Sequence, residues 1–141
     1  MTLATTPTIS NAMRLKQISV FLENTPGHLE GVCKAVADVG VNLETITIAE
    51  TKEYGIVRAV VDDPEKAAEA LKSAGYFAKI VEVLAVEVDD KPGALLSILK
   101  KTSSAGLNIE YMYALTRPFR DKPVMAMSFK DIEAAEKLLS E

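Results

Sequence analysis

Apolar and polar residues alternate in several short stretches of the chain. Residues 16–23 (KQISVFLE) and residues 83–89 (VLAVEVD) both keep an apolar side chain at every second position. Because successive side chains of a strand point to opposite faces of a sheet, this alternation predicts two strands with a buried face. Less regular apolar stretches predict further strands at residues 42–49, 56–61, 76–82, 108–115 and 124–129.

After each of these two predicted strands, apolar residues recur at the spacing of a helix. Leu29 and Leu95 each begin a run whose core-facing positions recur three, four and seven residues later, and a glycine follows each run. Residues at this spacing share one face of a helix, and the glycine suits the helix end. Two further helices are predicted at residues 64–73, where proline suits the first turn, and after Asp131, which can cap the first turn.

The chain contains an internal duplication. Residues 20–50 align with residues 86–116 without a gap, and the two segments agree at the residues that shape loops and turns. The identical pairs include Pro26 and Pro92, Gly27 and Gly93, Leu29 and Leu95, Gly40 and Gly106, and Asn42 and Asn108. A repeat of this length is better interpreted as a small folding unit than as one turn of a solenoid.

The element order of the first copy is βαββαβ, which predicts an α+β fold of two ferredoxin-like units in tandem, with antiparallel sheets and helices on one face. The first unit covers residues 15–82, the second covers residues 83–141, and residues 1–14 form a flexible N-terminal extension. The second unit lacks its last strand, so strand 83–89 should have an open edge that invites pairing. We expect a homodimer, or residues 5–12 of the same chain, to cover this edge.

Composition and net charge indicate which kinds of partner the protein can have. The 141 residues are 48% hydrophobic, enough for a buried core, and the formal net charge is −4 with a pI of about 5.1. This charge argues against nucleic acid as a partner. One cysteine permits no internal disulfide and no cysteine metal cluster. We find no apolar stretch that predicts a membrane span and no secretory signal, so we expect a cytoplasmic protein without a membrane partner.

Three other functions occur on the same fold, and the residues argue against each of them. A copper-chaperone-like module needs a cysteine pair in its first loop, but the chain has one cysteine. An RNA-recognition module needs exposed aromatic and basic residues on its middle strands, whereas aromatic residues make up 6% of this acidic chain. An acylphosphatase-like enzyme needs an arginine in its first loop, and neither ENTPGH nor DDKPGA contains one.

The repeated Pro-Gly loops are suited to binding a small charged ligand through the backbone. Each loop leads into a helix, whose first turn offers unpaired N–H groups and a positive dipole end to a carboxylate. Gly27 and Gly93 lack a Cβ, so a ligand can approach the backbone closely. The preceding prolines stiffen the loops, which lowers the ordering cost of binding. A free amino acid has the required carboxylate, and nearby amide or carboxylate oxygens can accept from its ammonium group.

The combined pattern resembles the ACT domain, an amino-acid-binding regulatory module. The resemblance rests on a motif that occurs in both copies. After a strand come Asn or Asp, any residue, Pro-Gly, any residue and Leu, and a helix follows. After the helix, Gly, any residue and Asn precede a second strand. Two copies in register extend over residues 15–141 and are similar to the small tandem ACT proteins that have no catalytic domain.

This resemblance implies a function, partners and a site. ACT modules pair side by side, with an amino acid at the interface between the first loop of one module and the second strand of its neighbour. The implied protein is a non-catalytic regulator that binds an amino acid and uses no cofactor or metal. We expect it to form a homodimer and to have a biosynthetic enzyme as a further partner. The implied ligand-binding residues are Asn24, Thr25, Pro26, Gly27, His28, Leu29 and Asn42 in the first copy, and Asp90, Lys91, Pro92, Gly93, Ala94, Leu95 and Asn108 in the second.

Two points stay open on the sequence. The chain could instead be a structural interaction module, a free regulatory subunit of a biosynthetic enzyme that binds no metabolite. Stabilisation by a subset of the amino acids would favour the sensor, because a ligand of the native state raises apparent stability. The two loops also differ, since Asn24-Thr25 is neutral and Asp90-Lys91 is a charge pair, which predicts unequal affinities.

Overall fold

The computed structural model describes residues 12–23, 25–50, 53–116 and 122–140. In chain order the elements are β1 Ala12–Glu23, α1 His28–Asp38, β2 Leu43–Glu50, β3 Tyr54–Val61, α2 Pro64–Ser73, β4 Phe77–Glu87, α3 Ala94–Ser104, β5 Ile109–Ala114, β6 Val124–Phe129 and α4 Ile132–Leu139. No helix in this described part is both long and apolar enough to cross a membrane.

The predicted fold class is confirmed, because the described residues form six strands and four helices in an α+β arrangement. One prediction of the element boundaries is wrong. The strands predicted at residues 76–82 and 83–89 form the single strand β4. The physical reason is local, because the sequence between Phe77 and Glu87 contains no glycine or proline that would turn the chain.

Residues 16–81 form one compact unit. Its strand order is β2-β3-β1-β4, and β3 is antiparallel to both of its neighbours. Val57 of β3 lies opposite Val20 of β1 and Ile48 of β2, so these three side chains share one face of the sheet. Val20 and Val57 are buried with residues of α1 and α2, which places the core of this unit between the sheet and its helices.

The second compact unit combines residues 12–15 with the chain from Glu82 onward. Its strand order is β1-β4-β6-β5, and β6 is antiparallel to β4 and β5. Met127 of β6 lies opposite Leu84 of β4 and Met112 of β5. The core contains Leu84 and Met127 together with Ala135 and Leu139 of α4.

Residues 12–15 lie beside β4, in the position that the fourth strand of a ferredoxin-like unit occupies. Ala12 is 2% exposed and belongs to the core of this unit. The Arg14 guanidinium lies 3.2 Å from Glu82 and 3.1 Å from Glu136, and hydrogen bonding to Glu136 raises the arginine pKa. β1 therefore begins inside the predicted flexible extension and lies beside β4. Of the predicted cover at residues 5–12, the structure describes Ala12 alone, and the homodimer stays a prediction.

Candidate ligand-binding site

Both Pro-Gly loops place their glycine at the N-cap of the following helix. Gly27 precedes α1 with a φ of 93°, and Gly93 precedes α3 with a φ of 83°. L side chains avoid this left-handed region, so glycine is the residue that the loop conformation favours. A Cβ added at either glycine would meet nothing within 4 Å, so the space beside the backbone is open to a small molecule.

The two loops have matching backbone hydrogen bonds. Thr25 N–H donates to Glu23 O at 2.9 Å, and Lys91 N–H donates to Asp89 O at the same distance. The first residue of each helix also donates back into its loop, His28 to Thr25 and Ala94 to Lys91. The duplication in sequence is therefore a duplication of loop geometry.

The helices after these loops begin differently from the other two helices. Asp63 caps α2 by accepting from Lys66 N–H at 3.2 Å, and Asp131 caps α4 by accepting from Ala134 N–H at 3.1 Å. Among the described residues, no side chain caps α1 or α3. Apart from the N–H groups of His28 and Ala94, which donate into their loops, uncapped first-turn N–H groups retain their hydrogen-bonding capacity, and they lie at the positive end of the helix dipole. This is the arrangement that binds carboxylates and phosphates.

The remaining loop residues of the predicted site surround these helix starts. Pro26, Leu29, Asp90 and Pro92 are exposed, while His28, Ala94 and Leu95 are half-buried. Asn24 lies outside the described residues.

The predicted asparagines lie at the opposite end of each unit from the loops. In the first unit, Glu50 at the end of β2 is opposite Gly55, and Leu43 at its start is opposite Val61. Val61 follows Gly55 by six positions along β3, a distance of about 20 Å in an extended strand. Asn42 stands next to Leu43, and its backbone exchanges hydrogen bonds of 3.0 and 3.2 Å with Asp62. No single unit therefore brings Asn42 to the Thr25–Leu29 loop.

Asn108 has the same placement in the second unit. It lines a cavity of about 390 Å³ at the start of β5, together with Gly106, Glu110 and Asp131. The loop residues Lys91 and Ala94 line a different cavity, of about 600 Å³, which Glu87 at the end of β4 also lines. The structure thus separates the predicted site of each unit into a loop part and an asparagine part.

The larger cavity contains charged residues that the sequence analysis did not predict as site residues. Lys122 Nζ lies 3.2 Å from Asp89 Oδ1, and Lys91 Nζ lies 3.9 Å from Asp89 Oδ2. The other lining residues are Glu87, Ser97, Ile98, Lys100 and Lys101. The duplication carried a signal for Lys101, which replaces Ala35 of the first copy, whereas Lys91, which replaces Thr25, was already among the predicted site residues.

Fold and loops together define a tandem pair of ferredoxin-like modules, each with a Pro-Gly loop before a helix that no described side chain caps. The chain belongs to the ACT domain family, since the family model described as an ACT domain pair matches residues 13–136. The solved structure of protein BT0572 from Bacteroides thetaiotaomicron is 35% identical, with a TM-score of 0.81, and the match covers 92% of this chain and 89% of that one.

More distant structures share the fold. The regulatory subunits of aspartate kinase from Thermus thermophilus and Thermus flavus are 19% and 17% identical, each with a TM-score of 0.60. The matches cover 87% and 91% of this chain, and 89% and 94% of those chains. No curated protein matches the chain.

Proposed function

We propose that this protein is a non-catalytic regulator that binds a free amino acid at its Pro-Gly loops. The single observation that carries the proposal is the contrast between the helix starts. Asp63 and Asp131 cap α2 and α4, whereas α1 and α3 lack a side-chain cap among the described residues. The uncapped ends belong to the helices whose N-cap glycines leave open space beside the backbone.

The chemistry of the ligand follows from these donors. The first-turn N–H groups of α1 and α3 bind the carboxylate, because the donors and the helix dipole both favour negative charge. The loop backbones are held by their own hydrogen bonds, so little loop ordering accompanies binding. The asparagine at the start of β2 or β5 lies too far from the loop of its own unit to contact the same ligand. Its part in the site therefore requires a neighbouring module, and that remains our prediction.

A regulatory role in the cytoplasm, with a biosynthetic enzyme as partner, completes the proposal. ACT domain pairs of this fold include structures named as regulatory subunits of aspartate kinase, which makes an enzyme of amino-acid biosynthesis the partner class that we propose. A homodimer remains part of the proposal. In strand order β2 and β5 each have one neighbour, so both offer an edge to a second chain.

Thermal unfolding in the presence of each of the twenty amino acids tests the proposal. A subset should raise the midpoint in a concentration-dependent way, since binding to the native state adds stability by mass action. If none of the amino acids shifts the midpoint and calorimetry detects no binding, the chain is no amino-acid sensor, and the interaction module without a metabolite becomes the better account.

A further inference from the structure

The cavity beside the second Pro-Gly loop has an excess of positive charge. Among the described residues, four lysines line it, Lys91, Lys100, Lys101 and Lys122, against two carboxylates, Glu87 and Asp89. The chain as a whole has a formal net charge of −4, so the sign of the charge is reversed at this cavity. A concave site lined by one sign of charge attracts ligands of the opposite sign.

The four lysines divide into two pairs. Lys91 and Lys122 share the carboxylate of Asp89. Lys100 and Lys101 form no ion pair in the part of the chain that the structure describes. The positive charge of this second pair is therefore available to a ligand.

Helix geometry connects Lys101 to the uncapped start of α3. Ala94, Ser97, Ile98 and Lys101 lie on one face of the helix and line the same cavity. Lys101 follows Ala94 by seven positions along the helix, an axial distance of about 10 Å. Side chains of a helix lean toward its N-terminus, so the long side chain of Lys101 spans part of this distance toward the loop.

The described residues of the first copy do not reproduce this charge. Thr25 and Ala35 occupy the positions of Lys91 and Lys101. Lys34, which corresponds to Lys100, lies 2.6 Å from Asp38, and this hydrogen bond raises the pKa of the lysine. An excess of uncompensated lysine charge beside the loop is thus a property of the second copy.

We infer that the second loop selects an amino acid with a carboxylate side chain, aspartate or glutamate, and that Lys100 and Lys101 determine this preference. The inference rests on the proposed function. The α-carboxylate binds the uncapped N–H groups of α3, and the ammonium group is met by the carboxylates that line the cavity. The side-chain carboxylate extends along the helix face toward Lys100 and Lys101. A ligand with a neutral side-chain amide would lack this charge interaction with the two lysines.

Calorimetry at low ionic strength tests the inference with matched ligands. L-aspartate is compared with L-asparagine, L-glutamate with L-glutamine, and inorganic phosphate serves as a plain anion. The wild-type chain should bind one of the acids about tenfold more tightly than its amide, a difference that corresponds to about 1.4 kcal/mol. Raising the salt concentration should reduce this difference, because exposed charges are screened.

The double variant Lys100→Gln/Lys101→Gln should lose most of the preference for the acid, because its affinity for the acid should fall toward its affinity for the amide. The control variant Lys72→Gln/Lys79→Gln makes the same change in net charge at exposed positions of the first unit, and it should keep the preference. This pair of variants separates a local contact from the effect of net charge on the whole chain.

Two results of the acid and amide titrations would overturn the inference and leave the proposed function intact. One is equal affinity for the acids and the amides in the wild type. The other is an acid preference that the Lys100→Gln/Lys101→Gln variant retains. Phosphate binding as tight as that of aspartate or glutamate would also overturn it, by showing an unselective anion site. If none of the twenty amino acids bound, both the inference and the proposed function would be contradicted.

Discussion

The hydroxyl of Tyr76 occupies the space in which a side chain at position 31 would begin, so any residue larger than glycine in the middle of α1 requires the Tyr76 side chain to move. Tyr76 packs against the core of the first unit from the segment between α2 and β4. The second copy has Ser97 at the equivalent position, where its hydroxyl donates to Gly93 O at 3.1 Å. The duplication is therefore preserved in the loops and has diverged on this helix face.

Gly31→Ala should destabilise the first unit. Alanine gains about 1 kcal/mol of helix propensity over glycine. Overpacking against Tyr76 costs about 1–3 kcal/mol, which exceeds that gain in most of its range. Tyr76→Phe removes the hydroxyl, so Gly31→Ala should cost less in that background. A double-mutant cycle from urea unfolding should give a coupling of about 1 kcal/mol. Additive effects of the two substitutions would contradict the packing account.

Ala12 offers a direct test of the strand that completes the second unit. Ala12→Asp should lower the free energy of unfolding by about 2 kcal/mol or more, because it buries a carboxylate in an apolar core. Met13→Asp is the matched control, since Met13 is 51% exposed, and it should change stability by about 0.5 kcal/mol or less. Equal effects of the two substitutions would show that residues 12–15 are not part of the core.

Because Asp131 caps a helix and Asp90 does not, replacing these two aspartates should have different effects on stability. Asp131→Ala should cost about 1 kcal/mol of stability because it removes the cap of α4. Asp90→Ala, in the loop before α3, should cost little, because Asp90 caps no helix. Denaturant midpoints of the two variants provide the comparison. A loss for Asp90→Ala as large as that for Asp131→Ala would indicate that α3 has a cap after all.

The N-cap glycines should matter for ligand binding more than for stability. Gly27→Ala places a methyl group beside the uncapped turn of α1, so it should weaken amino-acid binding at that loop. Gly75→Ala is the control, because Gly75 has the same φ of 93° and equally open surroundings but precedes no helix. Both substitutions should cost about 1 kcal/mol of stability from backbone strain. Calorimetric affinities that fall equally in both variants would argue against a site at the loop.

Much of the fold could be predicted from local patterns. The bounds Pro64–Ser73 of α2 and Val124–Phe129 of β6 agree with the sequence, because a capping aspartate, a first-turn proline and an uninterrupted apolar run are local signals. The continuity of β4 was missed because the end of one repeat and the start of the next were interpreted as separate strands. The place of residues 12–15 depends on long-range pairing, which periodicity cannot reveal.

The candidate site was only partly accessible to sequence reasoning. The loop glycines and the helix starts follow from residue types with well-defined backbone preferences. Lys100 and Lys101 did not stand out, because lysines on a helix usually form a solvent-exposed face. Only the fold shows that they share a cavity with the loop residue Lys91. The absence of a side-chain cap on α3 is likewise a property of three-dimensional geometry, because Asp90 stands close enough in sequence to suggest one.

Backbone amide chemical shifts during an amino-acid titration test the central claim most directly. With an amino acid that stabilises the protein, the largest changes should fall on the first-turn amides of α1 or α3, at residues 28–30 or 94–96. The amides at the capped starts of α2 and α4 should change little, which provides an internal reference in the same spectrum. Changes concentrated away from both Pro-Gly loops, with those first-turn amides unaffected at saturation, would contradict the account.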